Sequence, residues 1–346
     1  MVSNVKIVPH VSVLMPVYNC ETYICEAIES ILNQSFSNFE CIIIDDKSTD
    51  ETVKLIQSYQ DHRIQLIQKP KNTGLTDSLN LGLKIAKGKF IARMDGDDIS
   101  LPQRFEKQVS FLELNHEYVL CGSNYTIMGS NMLVKLPQNH ENIKVALLQK
   151  CLVAHPTVMM RKELLDKFEL CYDATKEPAE DYDFWVRMIG KGKFHNLQES
   201  LLQYRVHNEQ VSQQRAIQQR FQSAEAKIQL LKQLELQLLD NEVNILRKIF
   251  ISDKKITHQD IIDFSFLKNK LKVGNANFFF ESKAFDMFIK DVEQKIIRSY
   301  YMKKERYFPS DYYQYRNMKS DYKLQFSFSD EIKLIIKSFS FYKYKK

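Results

Sequence analysis

The first 115 residues alternate short apolar blocks with segments of helical spacing. Val11 to Met15 is an apolar run closed by Pro16 and predicts a buried strand. Ile24, Ala27, Ile28, Ile31 and Leu32 then recur at helical spacing. Cys41 to Ile44 predicts a second strand, broken by Asp45-Asp46, and Asp50 can cap a helix over roughly 51–60. Ile64, Leu66 and Ile67 predict a third strand. Leu75 to Ala86 predicts a helix closed by Gly88, and Phe90 to Met94 a fourth strand stopped by Asp95-Gly96-Asp97-Asp98. Pro102 suits the start of a helix near 102–115.

Such alternation argues for an α/β protein with a mostly parallel central sheet flanked by helices. Ligands bind such sheets at the carboxyl ends of the strands. Tyr18-Asn19, Asp45-Asp46 and Asp95 to Asp98 all follow strands, so they should line one edge. From 116 to 206 the pattern is mixed, with short strands at 118–121, 124–127, 157–160 and 193–195 and helices near 141–150 and 181–190. A long Gln-rich helix is expected over 209–250, and the composition shift near 209 marks the domain boundary: 1–208, then a helical C-terminal region, 209–346.

A length of 346 residues fits about two domains. No apolar run approaches the ~18–20 residues of a membrane span, and the N-terminus is a poor signal peptide. Six cysteines without a CxxC pair point to free thiols in a reducing compartment, the cytosol. Net charge is +6, and residues 301–346 alone carry eleven Lys and Arg against five Asp and Glu. The body is therefore neutral, which argues against nucleic acid. Ile332, Leu334, Ile335, Ile336, Phe339, Phe341 and Tyr342 interleave with lysines in this tail. A basic amphipathic segment can lie on an anionic leaflet at about 1 kcal/mol per Lys or Arg. The alternative is a terminal helix docked on the protein.

Three carboxylates within four residues, Asp95, Asp97 and Asp98, are costly after a buried strand unless a cation neutralises them. Hard oxygen ligands suit Mg²⁺ or Mn²⁺; a solvated, capped turn is the bland alternative. Acids at the end of the second strand can accept the donors of a base or ribose. Tyr18 offers a flat face for a base, or is a half-buried core tyrosine. Glu180-Asp181 either caps a helix or supplies a general base. His207 either reaches a phosphate or the metal, or is an ordinary polar residue. No GxGxxG, Walker A or GxSxG motif occurs, which weakens dehydrogenases, P-loop enzymes and hydrolases.

VSVLMPVYN (11–19), CIIIDDKSTD (41–50), NTGL (72–75), LNLGLKIAKGKFIARMDGDDISLPQRFEKQ (79–108), AHPTVMMR (154–161) and AEDYDFWVRM through YRVHNEQVS (179–212), taken in order, resemble family 2 inverting glycosyltransferases of the GT-A fold. The resemblance implies a nucleoside diphosphate sugar donor, most often UDP-linked, and a glycan or lipid-linked glycan acceptor. It implies donor contacts from Pro16, Tyr18, Asp46, Asn72, Arg93 and Asp95, with Tyr18 on the base and Asp46 accepting a base N–H. Asp95, Asp97 and His207 are the implied ligands of Mn²⁺ or Mg²⁺, with Asp98 in support, and Asp181 is the implied base, with Glu180 as alternate. Processive members carry Gln-x-x-Arg-Trp and spanning helices. Here Gln-Gln-Arg occurs twice within 213–220 without Trp, so single transfer is expected. With the tail, the resemblance suggests bacterial capsule or lipopolysaccharide assembly at the inner face of the membrane. The rival readings are a silent scaffold and a sugar nucleotidyltransferase.

Overall fold

The computed structural model describes residues 8–130, 132–207, 215–251, 255–321, 326–340 and 342–343. Two compact units divide the chain, Met1–Ala226 and Lys227–Lys346.

The first unit is built on one sheet. Its strands are β1 (Val11–Val17), β2 (Phe39–Asp45), β3 (Ile64–Gln68), β4 (Phe90–Arg93), β5 (Ile99–Ser100), β6 (Tyr118–Ile127), β7 (Met132–Val134), β8 (Met159–Arg161) and β9 (Lys193–Tyr204). They lie in the order β3-β2-β1-β4-β8-β6-β9-β5, with β7 beside β6. The first four are parallel; β8 runs antiparallel to β4 and β6, and β9 returns parallel to β6. Every residue of β1 is buried, as a strand covered on both faces requires. The helices here are α1 (Ile24–Leu32), α2 (Thr52–Gln57), α3 (Leu75–Ile85), α4 (Arg104–Leu114), α5 (His140–Ala146), α6 (Lys162–Lys167) and α7 (Glu180–Met188). Ile24, Ala27, Ile28 and Ile31 of α1 pack with Val13, Met15, Ile43 and Phe90 in the core.

Several expectations are corrected. Pro16 does not end β1, which runs on to Val17. Pairing to β4 stops at Leu14↔Arg93, so Pro16 lies where β1 has a paired strand on one side only and its missing N–H is tolerated. The strands expected at 118–121 and 124–127 are one strand, β6, and 193–195 is only the start of the twelve-residue β9. Register shifts and buried polar residues disguised both; Asn196, for example, is fully buried and donates Nδ2–H to the Pro137 carbonyl at 2.8 Å. The segment expected as a strand at 157–160 begins as a 3₁₀ turn, His155–Thr157, before β8.

Arg104 is buried within this half-parallel, half-mixed sheet. Its Nη2 donates to the carbonyls of Arg93 (2.7 Å) and Val158 (3.2 Å), and its Nε to Gln108 Oε1 (3.1 Å). Gln108 Nε2 donates in turn to the carbonyls of Cys121 and Thr157. Burial lowers the Arg104 pKa to about 9, so it stays charged at neutral pH. The Arg104–Gln108 clip ties β4, β8 and β6 together where parallel pairing gives way to antiparallel.

Helix α8 (Ala216–Lys232) begins in the first unit, where Gln218, Gln219 and Gln222 donate to the carbonyls of Glu177, Pro178 and Thr175. These bonds place its first turns with residues 1–226, although the composition shifts at 209. The second unit continues with α9 (Asp240–Ile251), α10 (His258–Gly274), α11 (Ser282–Met302), α12 (Pro309–Asp321) and α13 (Phe328–Phe339). The helix expected over 209–250 is thus two, broken where Glu235 takes a left-handed φ of 56°; residues 209–214 lie outside the described residues. Thr257 and Asp260 form a capping box on α10. Among the described residues no helix is long and apolar enough to cross a membrane.

Candidate active site

The parallel strands bring three polar segments to one edge. The segments after β1 and β2 are stitched together. Asn19 N–H donates to Ser48 Oγ and Thr49 N–H to Asn19 Oδ1, both at 2.9 Å. Cys20 N–H donates to Thr52 Oγ1 (2.8 Å) and Glu21 N–H to Asp50 Oδ2 (3.1 Å). Asn19 and Lys47 take left-handed φ of 50° and 68°, strain that accumulates at functional edges. Tyr18 is 48% exposed, so it is not a core tyrosine. The N-cap of α2 is Glu51, and Asp50, one residue ahead of it, accepts the first helical N–H, that of Thr52, at 3.0 Å.

Asp46 is buried and pairs with Lys69 Nζ at 2.7 Å. Its Oδ1 accepts Thr73 N–H (2.9 Å) and its Oδ2 accepts Gly74 N–H (2.8 Å). It therefore anchors the turn that carries the exposed Asn72 and leads into α3. Two carboxylate oxygens offer about four acceptor directions, so Oδ2 keeps one spare. Lys69 also reaches Asp77 and Ser78, each at 2.9 Å.

Arg93, the last residue of β4, is buried and ion-paired with Asp95. Gly96 follows because nothing larger fits: a Cβ there would lie 2.9 Å from Val17 Cγ1 and 3.4 Å from Cys20 Sγ. The turn then gathers Asp95, Asp97 and Asp98 with carboxylate oxygens within 4.8 Å of one another. His207 Nε2 lies 2.9 Å from Asp97 Oδ2. The segment after β9 clamps this turn. Arg205 N–H donates to Asp98 Oδ1 (2.9 Å) and its Nε to the Asp97 carbonyl (2.8 Å). Its guanidinium pairs with Glu26 at 2.6 Å and lies 4.5 Å over the Tyr23 ring. Asp98 Oδ2 is buried without a partner. Burial, then the charges of Asp95 and Asp97, push the Asp98 pKa well up; burial also raises Asp95, against the pull of Arg93. Three hard carboxylates, one with an orphaned oxygen, fit a divalent cation. Asp98 thus stands within the acidic group rather than beside it.

Glu180 and Asp181 open α7, whose N-cap residue is Ala179, and the Asp181 carboxylate satisfies a first-turn N–H, so a capping contribution stands beside the chemical reading. Asp181 Oδ1 accepts Tyr182 N–H at 2.7 Å, and Cys151 Sγ lies 3.9 Å from its Oδ2. Glu180 Oε2 is buried without a partner. Burial, then the charge of Asp181, push the Glu180 pKa up to about 8. Burial raises Asp181 too, opposed by Tyr182 N–H and the charge of Arg93. Arg93 is therefore the cation that both acidic groups feel. Cys151, Lys69 and the clamping role of Arg205 were missed in the sequence; the only trace of Arg205 was its place two residues before His207.

This sheet and its strand-edge acids define the GT-A class of glycosyltransferases. The chain belongs to glycosyl transferase family 2, whose description matches residues 12–169. EpsE of Bacillus subtilis is 40% identical over 209 residues, covering 57% of this chain and 73% of that protein. The Escherichia coli O-antigen biosynthesis glycosyltransferase WbnJ is 34% identical, covering 59% of this chain and 83% of WbnJ. The Escherichia coli UDP-Glc:alpha-D-GlcNAc-diphosphoundecaprenol beta-1,3-glucosyltransferase WfaP is 33% identical, over 58% and 79%. Among solved structures, S. aureus TarS 1–349 in complex with UDP-GlcNAc superposes with a TM-score of 0.57 at 18% identity, covering 84% of this chain and 89% of that one. The mannosyltransferase PcManGT from Pyrobaculum calidifontis, in complex with GDP-Man and Mn²⁺, gives 0.50 at 14% identity, over 86% and 88%.

Proposed function

We propose that this protein is an inverting, single-transfer glycosyltransferase. It moves a sugar from a nucleoside diphosphate donor, UDP-linked, to a hydroxyl of a glycan or lipid-linked glycan. The observation that carries the reading is the pairing of two acidic groups, Asp95-Asp97-Asp98 and Glu180-Asp181, under the charge of one buried Arg93. The donors named for WfaP and TarS support a UDP-sugar.

The base stacks on Tyr18 and donates to the spare direction of Asp46 Oδ2, beside Asn72 and the backbone at Pro16. Arg93 holds Asp95 toward the ribose and diphosphate. Asp95, Asp97 and His207, with Asp98, would hold Mn²⁺ or Mg²⁺, which when bound offsets the charge growing on the leaving diphosphate. Asp181 takes the proton of the acceptor hydroxyl as that oxygen attacks the anomeric carbon. The bond to the diphosphate oxygen breaks on the opposite face, and one displacement inverts the centre. Glu180, held protonated to higher pH, keeps a second negative charge away from Asp181; the alternate assignment makes Glu180 the base, which requires its ionised form. The cellular setting that fits is capsule or lipopolysaccharide assembly at the cytoplasmic face of a membrane.

The test is release of free nucleoside diphosphate from a panel of UDP- and GDP-sugars, with Mn²⁺ or with chelator. Chelator-sensitive release from one donor, lost in Asp181→Asn, is expected. No release from any donor, together with no metal-dependent UDP binding, would overturn the reading in favour of a silent scaffold.

A further inference from the structure

We infer that the outer face of α13 inserts into an anionic lipid bilayer. The sequence marked this tail as basic and amphipathic; the structure sorts its apolar residues into two sets. Leu334 and Ser338 are fully buried, and Asp330 is held by Arg298 at 2.8 and 3.2 Å. Ser327 caps the helix through Asp330 N–H at 3.1 Å. That face docks the helix within its own unit and fixes its rotation.

The remaining apolar residues form a second stripe turned away from the first. Phe328, Ile332, Ile335, Ile336 and Phe339 follow the i, i+4, i+7, i+8, i+11 spacing of one helix face. They are 81, 39, 36, 61 and 48% exposed. Tyr313 of α12, 57% exposed, extends the stripe beside Phe339, ring centroids 6.4 Å apart. A contiguous apolar face on a docked helix marks an interaction surface. Phe341 lies outside the described residues.

Charge selects the occupant. Residues 227–346 carry 24 Lys and Arg against 15 Asp and Glu, a net +9, whereas residues 1–226 carry 25 against 28, a net −3. Both acids of α13 are paired inward, Asp330 with Arg298 and Glu331 with Lys319 and Tyr315. Lys333 and Lys343 are exposed, and Lys333 flanks the stripe next to Ile332. A second copy of the same unit would bring like charge against +9. An anionic leaflet offers apolar depth for the stripe and counter-charge for the lysines.

The experiment is co-sedimentation of the full chain with phosphatidylglycerol–phosphatidylcholine vesicles and with phosphatidylcholine alone. Binding to the anionic vesicles only, weakened by salt, is expected. The double variant Ile336→Glu/Phe339→Glu should lose about tenfold or more in partitioning while melting and donor turnover stay unchanged. Lys333→Glu/Lys343→Glu should weaken binding at low salt and leave the melting curve unmoved. No sedimentation of the unaltered chain, or sedimentation of the apolar variant to the same extent, would overturn the inference. So would dimers that dissociate in the double variant without any vesicle binding, which would make the stripe a self-association face. Glycosyl transfer can fail without touching this result, because lipid binding is read without a donor.

Discussion

Asp98 Oδ1 accepts the backbone N–H of Arg205 at 2.9 Å, a bond that joins residues 107 apart. It ties the acidic turn after β4 to the end of β9 and leaves Oδ2 buried with no partner. Asp98→Asn keeps an acceptor for Arg205 but removes a buried carboxyl group. Mn²⁺ affinity, read by titration of the free-ion EPR signal, should fall about 10–100-fold. The metal-free protein should melt higher at neutral pH, since a buried carboxyl whose ionised form burial disfavours leaves the interior. Unchanged Mn²⁺ binding would remove Asp98 from the cation site.

Asp97 and Asp181 should separate kinetically. Asp181→Asn is expected to lower turnover about 10²–10⁴-fold with donor binding nearly intact. Asp97→Asn should weaken both Mn²⁺ and donor binding as well as turnover. Steady-state rates and UDP titrations with and without Mn²⁺ check this; near-normal turnover in Asp181→Asn would shift the base to Glu180.

Glu180 gives stability a pH dependence of unusual sign. Folding raises its pKa from 4.5 to about 8, so between those values the folded state binds a proton that the unfolded state releases. Its contribution is fully present below pH 4.5 and is lost as pH rises through 8. The metal-free protein should therefore lose melting temperature across that window more steeply than Glu180→Gln, in which the term is absent. Parallel melting curves for the two proteins from pH 5 to 8 would refute the assignment.

Gly96 is required by space. Alanine there meets Val17 Cγ1 at 2.9 Å, on a buried β-branched side chain that cannot swing aside freely. Overpacking of this kind costs about 1–3 kcal/mol. Gly96→Ala should push the 95–98 turn outward, lowering both melting temperature and Mn²⁺ affinity. A normal Mn²⁺ titration would show that the turn tolerates the shift.

The parallel half of the fold was legible because β1, β2 and β4 are dense apolar blocks with helical spacing beside them: Val13, Ile43 and Phe90 announce themselves locally. The mixed half was legible only in fragments of its strands, because β6 and β9 bury polar side chains such as Asn124 and Asn196 that pair outside their own strands. The site follows the same division. Tyr18, Asp95, Asp97 and Asp181 stand in patterned segments. Arg205 and Cys151 matter through contacts that only folding makes, and Asp46 anchors a turn that its own neighbours do not foreshadow. In the second unit, one left-handed residue, Glu235, splits a stretch whose apolar periodicity continues across it.

The bonds that stitch the segment after β1 to the segment after β2 bear on donor recognition. Asn19, Cys20 and Glu21 are fixed to Ser48, Thr49, Asp50 and Thr52 before any ligand arrives. In the proposed donor site, a base settling against Tyr18 would meet a surface whose conformational entropy was already surrendered when the chain folded. Under that reading, recognition on that side is selection by a rigid template, and whatever adapts to different sugars does so elsewhere.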